Sequence, residues 1–522
     1  MRKLLSRLTV VSTLFGCMGE TAAERSATKD PANTSSLWKQ YRKAKQTDTE
    51  PDLADFSYVG YHWGDQEIPT VDWKVFDVTT FGAVANDGKS DKAALIRAIA
   101  AAEANGSGVV FFPKGKFRIN EKSDAHNQPI FIKGSKIVLR GSGSGEGGTQ
   151  LFMERHMDPA DPNKMWTCPY MIQFIGKGAI GKKSAVVADT RRETRTIEVA
   201  DASVFKVGDW TVLSLKDNSS KAVARAVAPY KADPSWSAII EKGVVIDEFH
   251  CIESIKGNQL TFKEPIHASV AASSGWTVTQ IRPLEEVGVE EIAFRGNWLE
   301  KFVHHKSAIH DGGWSALNLS RCVNSWVRNC RFTHFNAQVR AQWSSAVTVQ
   351  DLLLDGNRGH HAVSLHGTSH SLVQRVNDTA SHWHAGGVAG PASGNVFLNC
   401  SYPADTCYEA HASQPRWTLF DNTTGGWMYG RWGGAQFNQP NHMHGLVFWN
   451  YKNIGKGVPG KFHFMLPHSV YGRIITPYVI GFHGNAQEWA EDEIKVLESN
   501  GNPVSPKSLY QAQLELRRAA GE

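Results

Sequence analysis

The chain has 522 residues, 20% of them charged, and a formal net charge of +5. That length admits about two to four average domains, or one elongated β fold around a continuous core, and a basic excess this mild, without a long Lys/Arg block, argues against a nucleic-acid partner. The same excess suits an anionic polysaccharide, whose encounter rate a complementary field raises, and 47 glycines, 17 tryptophans and 24 phenylalanines point to many turns and much aromatic surface.

The chain opens with a charged region (Arg2, Lys3, Arg7), a short apolar stretch from Leu8 to Phe15, and Cys17. This reads as an export signal, too short to span a membrane. Leu14-Phe15-Gly16-Cys17 resembles a bacterial lipobox, so Cys17 is expected to be lipidated and to hold an exported protein on a membrane at the cell surface or in the periplasm; plain secretion is the alternative. Residues 18–55, rich in Ala, Thr, Ser, Lys and Asp, read as a flexible tether outside the fold. The other cysteines show no CxxC spacing, and a Cys400 to Cys407 bridge is left open.

From Val75 to Ile119 the pattern is strand, Gly/Asp turn, amphipathic helix, Gly turn, buried strand, Pro-Lys-Gly turn, strand. Ala93, Leu95, Ile96, Ile99 and Ala100 are expected to form the apolar face of a helix that covers the open end of a β stack. Phe81-Gly82-Ala83, Asn86-Asp87-Gly88, Asp91, Ala98-Ile99, Gly106-Ser107-Gly108 and Phe112-Pro113-Lys114-Gly115 resemble the opening signature of the pectate-lyase-like superfamily. The resemblance implies an all-β fold, a right-handed parallel β-helix, with residues 56–180 as N-terminal cap and first coils. Lyases, hydrolases, epimerases and phage tail-spikes share that signature, so it does not choose a reaction.

Residues 181–283 change to alternating strands with turns and read as an inserted antiparallel β subdomain. Over residues 284–485 a period of about 22 to 25 residues appears, the mark of a solenoid. Val327, Val349, Val373, Phe397 and Leu419 align as one apolar column, and Cys330, Leu352, Val376 and Cys400 as a second. Residues 486–522 turn charged and helical and read as a C-terminal cap.

More than half of the 21 histidines fall between His304 and His444. In this register Gln342, His366 and His411 line nearly one face of the stack. His382-Trp383-His384, Tyr408-Glu409-Ala410-His411, Arg416 and Arg431 bring imidazole, phenol and guanidinium groups to adjacent coils. Such a set suits β-elimination from a uronate, in which a cation neutralises the carboxylate while a base removes the C5 proton and an acid protonates the departing O4. His366 and His411 are the expected base and acid, and Arg416 the carboxylate clamp. Arg340 and Arg431 follow as clamps, His384 and Tyr408 as reserves for proton transfer, and Gln342 and Trp343 as substrate contacts. Among Trp343, Trp383, Trp417, Trp427 and Trp432, no more than two are expected to face sugar rings.

The pairs His382/His384 and His442/His444 permit a transition metal, whereas the acids Asp351, Asp355, Asp378, Asp405, Glu409 and Asp421 are too scattered to favour calcium; no resident cofactor is expected. A glycoside hydrolase, which needs paired carboxylates, and a non-catalytic glycan-binding surface protein are the competing readings. The stretch Ser381 to Asn450, with SHWHAGGVAGPASGNVFLNC, HASQPRWTLFDN and RWGGAQFNQPNH, resembles exported bacterial proteins that include polysaccharide lyases acting on ulvan, a sulfated algal polymer. That resemblance implies a lyase and suggests ulvan as substrate; the protein is expected to be a monomer.

Overall fold

Short apolar strands recur at nearly constant spacing, so each coil can lay its strands in parallel on those of the coil before it. Val327 pairs with Val349, Val349 with Val373, and Val373 with Phe397. The computed structural model describes residues 30–466 and 472–521; Cys17 and the export signal lie outside them. A 16-stranded and a seven-stranded parallel sheet form the walls of a right-handed β-helix. Between them run inward side chains such as Val327, Val349, Val373 and Phe397, all at most 1% exposed.

The column continues from Phe397 to Phe420, and Leu419 pairs with Val396 instead. Both Leu419 and Phe420 are apolar and buried, so the repeat alone does not resolve a slip of one residue, although that slip exchanges the two faces of the strand. The Phe397 and Phe420 rings stack at 4.8 Å, the spacing of neighbouring strands. The second column holds for Cys330, Leu352 and Val376. Cys400 and Cys407 are both buried free thiols, so the bridge left open above is not formed.

The cap helix spans Lys92–Ala104, and its buried face is Ala94, Leu95, Ala98, Ile99 and Ala102. Ile96 is 46% exposed, because the i, i+4 row through 94, 98 and 102 sets the helix phase and turns 93, 96 and 100 outward. The inserted subdomain is a six-stranded sheet whose pairings are all antiparallel, running from Lys177 to Arg282. Its core holds Leu213, Phe262, Trp276 and Val278.

The tether expected over residues 18–55 is not one in its described part. Ser36–Thr47 is a helix whose N-cap, Ser35, accepts from the Trp38 amide. Leu37, Trp38 and Tyr41 are buried with Leu419, Trp449 and Leu509 against the outer face of the long sheet. The C-terminal helix Leu509–Ala520 joins the same cluster. The buried Asp421 carboxylate accepts from Ser508 Oγ and from the amides of Leu509 and Tyr510 at its first turn, where a helix N-terminus favours negative charge. Among the described residues no helix is long and apolar enough to cross a membrane.

Candidate active site on the seven-stranded sheet

The seven-stranded sheet runs, in spatial order, through Ile130–Ile132, Ile172–Ile175, Ser315–Ser320, Ala337–Gln342, His361–His366, His384–Ala389 and Cys407–Ala410. Successive side chains of a strand point to opposite faces. Leu319, Ala341, Leu365, Val388 and Ala410 therefore form a row into the core, and the residues on either side of them face out. One outer row is Asn318, Arg340, Ser364, Gly387 and Glu409; the other is Ser320, Gln342, His366 and Ala389, with His411 following Ala410.

Small residues, Ser364, Gly387 and Ala389, stand in the middle of both rows. At Gly387 an added Cβ would stand 2.7 Å from Glu409 Cβ, so the side chain of Glu409 lies over the space that glycine leaves free. The expected alignment of Gln342 and His366 is present, and the His366 and His411 rings lie 6.3 Å apart at 28°. Burial together with Arg340 and His411 pushes the His366 pKa well below its ordinary value, so this imidazole is neutral and carries a free lone pair. Arg340 rests over the Tyr170 ring at 4.8 Å. Glu409 is 5% exposed; burial pushes its carboxyl up to about 8 against the pull of Arg340. Its Oε1 is 3.6 Å from His384 Nε2 and 4.0 Å from His411 Nε2.

A loop before the strand Ser315–Ser320 brings His304 and His305 close to this face. His304 stacks on Trp383 at 4.9 Å, His305 Nδ1 lies 2.6 Å from Asp311 Oδ2, and His360 Nδ1 is 2.9 Å from the Asp311 carbonyl. His304, His360 and His384 offer ligand atoms within 4.8 Å of one another. Arg431 lies over Trp383 at 3.4 Å and donates to the Asp405 carbonyl, so it braces the rim. Trp343, directly after Gln342, lines a cavity of about 340 Å³ with Asp247, Phe249 and Thr279 of the inserted subdomain.

Several expected site residues lie elsewhere. Arg416 begins a strand of the long sheet and donates to the Val245 carbonyl of the insert, near Glu248 and Asp247. Left-handed backbone at Ala412, Ser413 and Gln414 turns the chain from one sheet to the other between His411 and Arg416. Tyr408 is fully buried among Phe420, Trp427, Trp432 and Phe448, because it points opposite to Glu409. Trp417, Trp427 and Trp432 are buried, which leaves Trp343 and Trp383 partly open.

Neither HxH pair forms a site. His382 is fully buried between Asp378 and Gln338, and His442 is held by the Met443 carbonyl and Thr418 Oγ1. The residues that sequence reasoning missed are His304, His360, Tyr170 and the central place of Glu409. His304-His305 and His360-His361 were visible as doublets in the histidine-dense stretch, but Tyr170 enters from a distant coil and left no signal.

Residues 75–179 match the family described as rhamnogalacturonase A/epimerase, pectate lyase-like, and residues 381–520 match a domain of unknown function, DUF4955. Mannuronan C5-epimerase AlgE3 of Azotobacter vinelandii is 37% identical over 71 residues, so the match spans 14% of this chain and only 4% of that relative's length. Among solved structures, the tailspike protein gp49 of Pseudomonas phage LKA1 is similar at TM-score 0.42 and 15% identity, over 79% of this chain and 70% of that one. An exopolygalacturonase from Thermotoga maritima is similar at TM-score 0.37 and 11% identity, over 85% of this chain and 86% of that one. Residues 75–179 are thus a pectate-lyase-like domain, and they open a right-handed parallel β-helix that the later coils continue.

Proposed function

We propose that this chain is a carbohydrate-active enzyme, a lyase that cleaves a uronate-containing anionic polysaccharide by β-elimination on the outer face of the seven-stranded sheet. The observation that carries the reading is the placement of Arg340 on the same face as the stacked pair His366 and His411. In this reading Arg340 receives the uronate carboxylate through its planar fork and stabilises the charge that develops as the C5 proton leaves. Neutral His366 takes that proton. The electron pair left on C5 forms the C4=C5 bond as C4–O4 breaks, and O4 departs with a proton that His411, kept neutral because burial lowers its pKa to about 4, passes on from the protonated carboxyl of Glu409, whose Oε1 is 4.0 Å from His411 Nε2. Tyr170 supports Arg340 from below through its ring face. The described acids on this face do not form the spaced carboxylate pair that a hydrolase needs, since Asp311 is engaged by His305 and Glu409 stands alone.

The likeness of residues 381–450 to ulvan-cleaving lyases puts ulvan first in the test. Purified protein mixed with ulvan, glucuronan, alginate, pectate and glycosaminoglycans is expected to raise the ultraviolet absorbance of one of them, because elimination conjugates a new double bond to the carboxylate. New reducing ends without absorbance would replace this reading with hydrolysis.

A further inference from the structure

We propose that His304, His360 and His384 form a binding site for one divalent transition cation of the zinc type. The three imidazoles come from a loop and two adjacent coils, and their ligand atoms lie within 4.8 Å of one another. Tetrahedral Zn–N bonds of roughly 2.1 Å would set the nitrogens about 3.4 Å apart, so closure requires shifts of the order of an ångström. The loop side of the site can supply them, because His304 is only partly buried and its neighbour His305 is exposed.

Two observations beyond proximity point to a ligand. His384 is 3% exposed, yet its Nδ1 has no hydrogen-bond partner, and the same holds for the buried Nε2 of His304. Buried polar atoms are nearly always satisfied, and a coordinated cation would engage an imidazole lone pair. His360 also has the support that metal-bound histidines commonly show: its Nδ1 faces the Asp311 carbonyl, which fixes the tautomer with Nε2 free as an acceptor. Three nitrogens match a borderline-soft ion and not calcium or magnesium, which take oxygen ligands. With three protein ligands a fourth position stays open, and Glu409 Oε1, 3.6 Å from His384 Nε2, faces the ring nitrogen that does not bind the ion.

The site stands independently of the lyase reading, and its test needs no polysaccharide. Full-length protein stripped with chelator and titrated calorimetrically with Zn²⁺ is expected to take up one ion per chain. His304→Ala and His384→Ala should each weaken uptake by roughly 100-fold, while His366→Ala keeps it. Because buried His384 could be needed for folding, the partly exposed His304 supplies the decisive variant, with circular dichroism as the control. Co²⁺ in place of Zn²⁺ should give d–d bands of low-coordinate geometry in the wild type that are lost in His304→Ala. Absence of saturable Zn²⁺ uptake, or uptake unchanged in folded His304→Ala, would overturn the proposal.

Discussion

Arg340 and Arg416 separate the account at the level of single side chains. Arg340 is partly open on the outer face over Tyr170, so Arg340→Ala should lower turnover by about 10²- to 10³-fold, the usual cost of removing a group that stabilises developing charge, with little change in melting temperature. Arg416 is 7% exposed and lies near Glu248 and Asp247. Its replacement by alanine should leave turnover within a few fold while costing about 3 kcal/mol of stability, because buried carboxylates lose their cation. Initial rates and denaturant midpoints on the two variants check both statements, and the opposite pattern would return the clamp to Arg416. The sequence pattern already held part of this answer: if His411 faces out, strand alternation sends Tyr408 inward and brings Glu409 out. What it did not hold was the corner at 412–414, where left-handed backbone carries Arg416 to another sheet.

Among the elements, the parallel strands were legible because a solenoid repeats its apolar pattern, and only the adjacent Leu419 and Phe420 made that pattern ambiguous. The loop carrying His304 was not legible as part of the site, since no periodicity ties a loop to a coil. The docking of the inserted sheet was equally hidden, and it rests on an unusual buried cluster. His250 lies 3.5 Å from both Glu248 and Glu264 and is fully buried. Burial opposes its charge, but the two carboxylates outweigh burial and push its pKa up to about 9. Nearby His267 is likewise raised, with burial outweighed by Glu193 and Glu248, whereas burial beside those two imidazoles keeps His370 neutral.

A histidine whose folded pKa exceeds its unfolded value contributes stability that is fully present below about pH 6.5 and lost as pH rises through about 9. For His250 this contribution is about 3 kcal/mol. Melting temperature should therefore fall between pH 7 and 10 more steeply in the wild type than in His250→Gln. Equal slopes would show that the cluster is not charged in the native state.

For the molecule as a whole, the long sheet would expose an apolar outer face if the two terminal segments did not cover it. The sequence spacing Leu37-Trp38, Tyr41 and Ala44 carried that signal as one face of a helix, and the polar composition around it concealed it. Because Trp38 is 8% exposed and sits in the cluster that joins Trp449 to Leu509, Trp38→Ala should cost about 3–5 kcal/mol, measured by chemical denaturation. A loss below about 1 kcal/mol would mean that this helix only rests on the body.

The covered face leaves the opposite, seven-stranded wall as the side on which the charged and imidazole groups gather, and the central claim is that this wall eliminates rather than hydrolyses. The mass of the oligosaccharides released from a defined uronate polymer tests it most directly. Elimination predicts new non-reducing ends lighter by one water than the corresponding saturated sugar; products whose masses sum to the substrate plus one water for each cleavage would contradict it.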